Sequence, residues 1–325
     1  MSEGRKVNFG ILLPTREAII ARRSDPASIY EVAGRAEALG FHSVWVGDSL
    51  TARPRIDALT TLAAVGARTR RVRLGTAIFL AALRHPVLLA YQLASLDWLT
   101  SGRVDLGVGY GRSKEPTQEH EFSILGLAPS ARIKMSEELV QVMRRLWREN
   151  DVSHAGAFSH FDHVTLQPKP VQSAGIPIWL ASNNVEPGLR RVGSLGDGWL
   201  NNITSPQIYR ECWDKIRGYA VAAGRDPESI EPGLYLTLAA GGRDAVAEGQ
   251  GFLAQYYNRP FESVSKAMLF VSGSWDEVID TIESYREAGA RTIVLRFGTS
   301  DQMGHLNSCA ELLARRGLLL NHPSV

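Results

Sequence analysis

Residues 73–112, RLGTAIFLAALRHPVLLAYQLASLDWLTSGRVDLGVGYGR, read as strand, irregular loop, helix, strand and a glycine-spaced turn closed by arginine. The first strand, Val72–Ile78, is apolar and β-branched, and it runs into a loop that ends at Arg84, His85 and Pro86. Proline is best tolerated in the first turn of a helix, so the helix begins there. Val87, Leu88, Ala90, Tyr91, Ala94, Leu96 and Leu99 recur at near-helical spacing, and Gly102 stands where a C-terminal cap is expected. The second strand, Val104–Val108, is short and mostly apolar, and Gly107, Gly109 and Gly111 follow in alternation. Glycine there lets the backbone turn tightly or approach a ligand closely. The stretch therefore joins two strand ends able to share one ligand.

Outward from it, strand-like and helix-like patterns alternate along nearly the whole chain. Such alternation implies crossover connections and a parallel sheet buried on both faces, an α/β fold. Strands are expected at Val7–Leu12, Ser43–Gly47, Val72–Ile78, Val104–Val108, Ile178–Ala181, Gly198–Leu200, Gly233–Ala239 and Thr292–Arg296. Helices are expected around Ile29–Leu39, Ala58–Ala67, Val87–Leu99, Met135–Trp147, Pro187–Gly193, Ile208–Ala223, Val278–Ala288 and Leu306–Leu313. Eight alternating units favour a closed (β/α)8 TIM barrel, with an open doubly wound sheet as the alternative. Two intervals, Ser113–Met135 and Asn150–Pro177, are longer than tight connections need, and insertions at the carboxyl ends of strands usually build active sites. A third, Gln255–Val271, carries Tyr256, Tyr257, Phe261, Met268 and Phe270 and fits a substrate lid and a packed helix equally well.

Composition narrows the classes. The 325 residues are 44% hydrophobic and 22% charged, enough for a full globular core, and no linker or short-period repeat interrupts them, so one domain over residues 1–325 is expected. Lys plus Arg exceed Asp plus Glu by 36 − 34 = 2, with no basic run interleaved with aromatics, which argues against nucleic acid as a partner. The start, MSEGRKVNFGILLPT, lacks a secretory apolar segment, and no run approaches the roughly 20 apolar residues that span a bilayer. A cytoplasmic protein without membrane attachment is expected. Cys212 and Cys309 match no metal or redox spacing and are expected to be reduced fillers.

Several residues have the chemistry of a site. Asp48 ends the second strand in VWVGDSL, where barrels place working groups, although capping the next turn or pairing with Arg53 or Arg55 serves as well locally. His85 is the histidine nearest the strand ends, but a lone histidine before proline is more often structural. His154, His160 and His163 lack the helical spacing and third ligand of a metal motif, so no metal site is expected. The glycine alternation is not a dinucleotide fingerprint, yet with Arg112 and Lys114 just beyond it suits an anion, whose charge backbone N–H groups and cationic side chains would meet. Ser182, Asn183 and Asn184 separate the fifth strand from a helix start and fit either an anion site or ordinary N-capping. No nucleophile elbow, Walker lysine motif or Cys–His pattern appears, which lowers hydrolase and phosphotransfer readings.

The segments AEALGFHSVWVGDSL, RVRLGTAIFLAALRHPVLLAYQLASLDWLTSGRVDLGVGYG, LQPKPVQSAGIPIWLASNN, LGDGWL and GARTIVLRF, in this order, resemble the bacterial luciferase-like family of flavin- and deazaflavin-dependent oxidoreductases. The resemblance spans almost the whole chain. It implies a (β/α)8 barrel that binds reduced FMN, or the deazaflavin coenzyme F420, at the carboxyl face. It places Asp48 and Ser49 beside the ring and matches Ala77–Ile78 to a supporting bulge that in many relatives contains a non-prolyl cis peptide. Gly109, Tyr110, Gly111 and Arg112 are implied to border the ribityl phosphate, with Ser182, Asn183, Asn184 and Val185 opposite. This chain departs from the pattern twice: Ser49 follows the strand-two acid where many relatives have histidine, and Tyr110 stands where luciferase has arginine.

The resemblance implies, first, a two-component monooxygenase that takes reduced FMN from a separate flavin reductase and uses oxygen on a small organic substrate. Asp48 and Ser49 would hydrogen-bond near the ring, His85 would assist orientation, and Arg296, by its position at the end of the last strand, would engage substrate or phosphate. Deazaflavin-dependent hydride transfer is the alternative, and a non-catalytic flavin-binding subunit is a third. A homodimer is the implied assembly.

Overall fold

The structure is a computed structural model that describes residues 7–22, 24–112, 115–242, 244–266 and 268–319. Its strands are β1 (Asn8–Leu12), β2 (Ser43–Val46), β3 (Arg73–Thr76), β4 (Val104–Val108), β5 (Val152–Ala155), β6 (His160–Val164), β7 (Ile178–Ala181), β8 (Gly198–Leu200), β9 (Glu231–Ala240), β10 (Phe270–Gly273) and β11 (Thr292–Phe297). The helices are α1 (Glu17–Ile20), α2 (Ala27–Ala38), α3 (Ala58–Arg68), α4 (Pro86–Leu99), α5 (Pro116–Ser123), α6 (Arg132–Arg148), α7 (Glu186–Leu195), α8 (Pro206–Ala222), α9 (Ala245–Tyr257), α10 (Phe261–Ser265), α11 (Trp275–Glu287) and α12 (Gln302–Arg315). The strand order β9-β11-β1-β2-β3-β4-β7-β8 returns to β9 through a β9–β8 pairing, which is the closed (β/α)8 barrel expected, with β10 added beside β9. β2, β4 and β11 are buried along their whole length, as strands covered on both faces are.

The chain divides into two compact units. The first comprises the described residues up to Trp45 and from Leu180 onward. There β1 runs parallel to β11 and β2, with Gly10 opposite both Val294 and Ser43. The Trp45 ring lies over Gly10: a Cβ at that position would stand 2.5 Å from Trp45 Nε1 and from Ser43 Oγ. The indole is held there by its 2.7 Å hydrogen bond to Ser43 Oγ. β11 pairs with β9 in a register that sets Arg296 opposite Thr237. Ser274 and Glu277 form a reciprocal capping box at the start of α11.

The second unit, Val46–Trp179, contains the stretch that decided the fold. β3 pairs with β4 at Leu74–Val104 and Gly75–Asp105. The helix starts at Pro86, as the proline implies, and α4 packs against α6 and α3. The expected strand Val72–Ile78 ends earlier, at Thr76, because the chain beyond it bulges. The interval Asn150–Pro177 holds the antiparallel hairpin β5–β6, and Ser113–Met135 holds α5, while Ser113 and Lys114 lie outside the described residues. In the first unit, the described residues of Gln255–Val271 pack against a core. Leu253, Val264 and Met268 form a core there against Phe252, Tyr257, Phe261 and Phe270. Both cysteines are buried and free, and burial pushes the Cys309 thiol up to about 12.

Candidate active site

Of the expected site residues in the Val46–Trp179 unit, Asp48, Ala77, Ile78 and Gly109 meet at the bulge after β3. Ala77 donates its N–H to Val46 O (2.8 Å), Asp48 N–H reaches Ile78 O (3.1 Å), and Phe79 exchanges backbone bonds with Gly107 and Gly109 (2.6 and 2.9 Å). The Ala77–Ile78 peptide bond is cis, the conformation the resemblance implied. Two of the three alternating glycines are explained by this close approach. A Cβ on Gly107 would lie 2.0 Å from Thr76 O, and one on Gly109 would lie 2.0 Å from Ile78 Cδ1. Gly111 instead has φ +69°, a conformation that side chains disfavour, and Arg112 N–H there donates to Gln118 Oε1 at 2.5 Å.

Asp48 is committed to this bulge. Its side chain is 3% exposed, and both oxygens accept from Arg84: Oδ2 from Nη1 at 2.6 Å and Oδ1 from Nη2 at 2.9 Å. Oδ2 also accepts Leu80 N–H at 3.0 Å. The partner is thus Arg84, not the Arg53 or Arg55 that proximity in sequence suggested. Arg84 in turn stacks over Phe79, 4.2 Å from the ring centroid. The carboxylate therefore ties the end of β2 to the Ile78–Leu80 backbone, which suits positioning better than proton transfer.

Ser49 leads to Glu121, a residue the sequence did not single out. Ser49 Oγ donates to Glu121 Oε1 (2.7 Å), which also accepts the N–H groups of Thr51 (2.7 Å) and Ala52 (3.0 Å). Ser49 Oγ itself accepts Arg53 N–H at 2.9 Å. Glu121 is fully buried, and its Oε2 has no hydrogen-bond partner. The only signal in sequence was a glutamate inside a long interval, which is uninformative without the fold. His85 is exposed at the N-cap of α4, where its side chain makes no capping bond. Tyr110 is half-buried and Arg112 exposed.

In the other unit, the segment between β7 and α7 is not capped in the ordinary way. Val185 is the N-cap and gives no side-chain bond, while Asn183 pairs reciprocally with Asn202: Asn183 Nδ2 donates to Asn202 Oδ1 (2.7 Å) and Asn202 N–H to Asn183 Oδ1 (3.0 Å). Ser182 packs on the first turn, since a Cβ on Gly188 would meet its Oγ at 2.1 Å. Asn184 and Val185 are exposed. The first turn of α7 offers little to an anion: Pro187 has no N–H, Gly188 N–H donates to Val185 O at 2.8 Å, and Glu186 puts a carboxylate there.

Arg296 is buried at 1% exposure, with no carboxylate of the described residues in ion-pair contact. Its Nη1 donates to Tyr257 Oη at 2.9 Å, and its Cζ lies 3.8 Å from the Tyr256 ring centroid. Burial opposes its charge, but Tyr257, Tyr256, Tyr235 and Glu17 together hold its pKa above the ordinary value.

The three histidines of the second long interval belong to the β5–β6 region, with His154 bonded to Glu138 and His163 to Asp151. No group of three or more His, Cys, Asp or Glu among the described residues is placed to hold a metal ion. No helix among them is long and apolar enough to cross a membrane.

A family model described as luciferase-like monooxygenase matches residues 7–292. An uncharacterized protein of Mycobacterium tuberculosis is 32% identical over 177 residues, 53% of this chain, and the match spans only 58% of that relative's length. An F420-dependent glucose-6-phosphate dehydrogenase of Kineococcus radiotolerans is 27% identical over 312 residues, covering 87% of this chain and 90% of that protein. Among solved structures, the monooxygenase RslO1 of Streptomyces bottropensis is similar with a TM-score of 0.78 at 26% identity, over 95% of this chain and 99% of that one.

Proposed function

The chain belongs to the luciferase-like monooxygenase family, and from that premise we propose that it is an FMN-dependent monooxygenase acting on a small organic substrate, with reduced flavin delivered by a separate reductase. The observation that carries a ring-binding site is the platform at Ile78. Its side chain is seated directly on Gly109, and the flanking backbone is fixed by Asp48 and Arg84. A flat apolar step with no slack beneath it suits a planar ring system. The bound flavin would supply the redox chemistry.

The residues present fit such a group unit by unit. In the Val46–Trp179 unit, Ala77 and Ile78 would support the ring, Asp48 would hold that support in place, and Ser49 would present its polar edge under the control of Glu121. The Gly109–Arg112 turn would border a phosphate. In the other unit, Ser182 to Val185 would border a phosphate, with the exposed Asn184 amide as a donor. His85, exposed and unbonded, is best placed to orient ligands at the loop mouth. Similarity to the monooxygenase RslO1 favours oxygen chemistry.

Deazaflavin-dependent hydride transfer is the second reading, supported by the near full-length similarity to an F420-dependent dehydrogenase. Anaerobic titration with reduced FMN and with reduced deazaflavin, followed by mixing with oxygen, separates the two. FMN binding and rapid oxygen-dependent reoxidation are expected; binding of deazaflavin alone overturns the first reading, and binding of neither favours the non-catalytic subunit.

The chain is also proposed to work as a homodimer. On α4, Leu88, Tyr91, Trp98 and Leu99 are exposed while Leu89, Ala90, Leu93 and Ala94 are buried, so the helix is apolar on both faces. A surface helix ordinarily carries polar residues outward.

A further inference from the structure

Within the unit that contains β9 and β11, two residues paired in the strand register hold three buried polar atoms that have no hydrogen-bond partner among the described residues. Arg296 uses Nη1 for Tyr257, which leaves Nε and Nη2, the two donors of one side-on edge of the guanidinium, with no hydrogen bond. Thr237, opposite Arg296 in the strand register, is fully buried and its Oγ1 is likewise unpartnered. Burying a charge without satisfying its donors is costly, and natural cores avoid it. The stacked rings of Tyr256, Tyr257 and Phe252, at 3.8, 5.4 and 5.9 Å from Cζ, compensate the face of the guanidinium. They offer nothing to its edge.

A planar pair of parallel N–H donors is the natural complement of a carboxylate, which it binds by two hydrogen bonds. The geometry points to Arg296 and Thr237 as the receptor for a carboxylate on the substrate: the Nε and Nη2 edge takes the two oxygens and the Thr237 hydroxyl donates a third bond. This deepens the oxidoreductase reading, on which it rests for calling the ligand a substrate.

The three atoms are shut off from solvent, so the ligand reaches them when the aromatic turn at the end of α9 moves. Tyr256 and Tyr257 of that turn lie 3.8 and 5.4 Å from the guanidinium carbon. Phe252 and Tyr256, which stack on Arg296, also line a cavity of about 290 Å³ with Pro14, Glu17 and Met303, a volume that holds a monocyclic acid. The turn is latched by Arg16, whose Nε and Nη2 both donate to Tyr256 O at 3.0 and 2.8 Å, so its movement has to release these two bonds.

Benzoate, neutral benzyl alcohol and inorganic phosphate serve as probes in calorimetric titrations of the full chain, with and without added cofactor. Benzoate is expected to bind at least about ten-fold more tightly than benzyl alcohol, with phosphate weaker than benzoate. Arg296→Lys, which keeps the charge but loses the side-on edge, is expected to remove about ten-fold of that preference, and Thr237→Val several-fold. Cofactor affinity is expected to persist in both variants. Equal binding of benzoate and benzyl alcohol, tighter binding of phosphate than of benzoate, or benzoate binding untouched in both variants overturns the inference. So does loss of cofactor binding in Arg296→Lys, which would give the edge to the cofactor. If benzoate discriminates while neither FMN nor deazaflavin binds, the cofactor reading fails and the carboxylate site stands.

Discussion

Arg84 grips Asp48 with both Nη atoms, at 2.6 and 2.9 Å, and so joins the end of β2 to the loop that leads into α4. Breaking the pair leaves one charge largely out of water. Asp48→Ala and Arg84→Ala are each expected to cost about 2–3 kcal/mol in denaturant unfolding, below the full value for a buried pair because Arg84 keeps some solvent contact. The double variant should cost much less than the sum. Additive losses would show that the contact contributes nothing.

Gly109→Ala presses a methyl group into Ile78. The contact is with a side chain rather than backbone, so the protein should fold, with a loss of about 1–3 kcal/mol from overpacking. Reduced-flavin affinity should fall more than stability does, because the step under the ring is displaced. Gly107→Ala meets the Thr76 carbonyl oxygen instead and should be the more damaging of the two in stability. Comparing melting and flavin titration for the two variants checks both statements.

Glu138 locks the β5–β6 hairpin onto α6. It accepts from the backbone N–H groups of Ala157, Phe158 and Ser159, from Ser159 Oγ, and contacts His154 Nε2 at 3.1 Å. Burial tends to raise its pKa, but His154, Ser159 and the backbone donors outweigh burial and hold it below the ordinary carboxylate value. A depressed folded-state pKa contributes stability above the unfolded-state value that is lost as pH falls through the folded one. Amide protection at residues 157–159 should therefore decline as the solution is acidified below the ordinary glutamate range. In Glu138→Gln that protection should already be low at neutrality and nearly flat with pH, which hydrogen exchange reads directly.

Trp98 and Leu99 are 61% and 70% exposed on α4. If a second copy covers them, Trp98→Glu with Leu99→Glu should convert a dimer to a monomer in sedimentation equilibrium with the barrel's circular dichroism intact. A wild-type chain that sediments as a monomer sinks the dimer.

The barrel was legible because it is written in a periodic code: β4, β7 and β8 begin and end where apolar runs do, and α4 starts at its proline. β5 and β6 escaped because their pairing is held by side chains from α6, a long-range contact that leaves no local pattern. β10 was hidden inside an aromatic-rich segment that suits helix and strand alike. At the site, the residue types were readable but their partners were not. Asp48 finds Arg84 rather than a neighbour, and Ser49 finds Glu121 some seventy residues on. Gly107 and Gly109 looked like a phosphate turn, whereas what excludes a side chain there is the Thr76 carbonyl and Ile78.

That exclusion sets the height of the Ile78 step by backbone lying against backbone at Gly107. Side chains repack by hopping between rotamers as temperature or sequence changes, but a carbonyl oxygen in van der Waals contact with a Cα has no rotamer to change. The plane on which a ring would rest is thus a fixed datum. Variation among substrates has to be absorbed elsewhere, in the side chains and loops that face it from above.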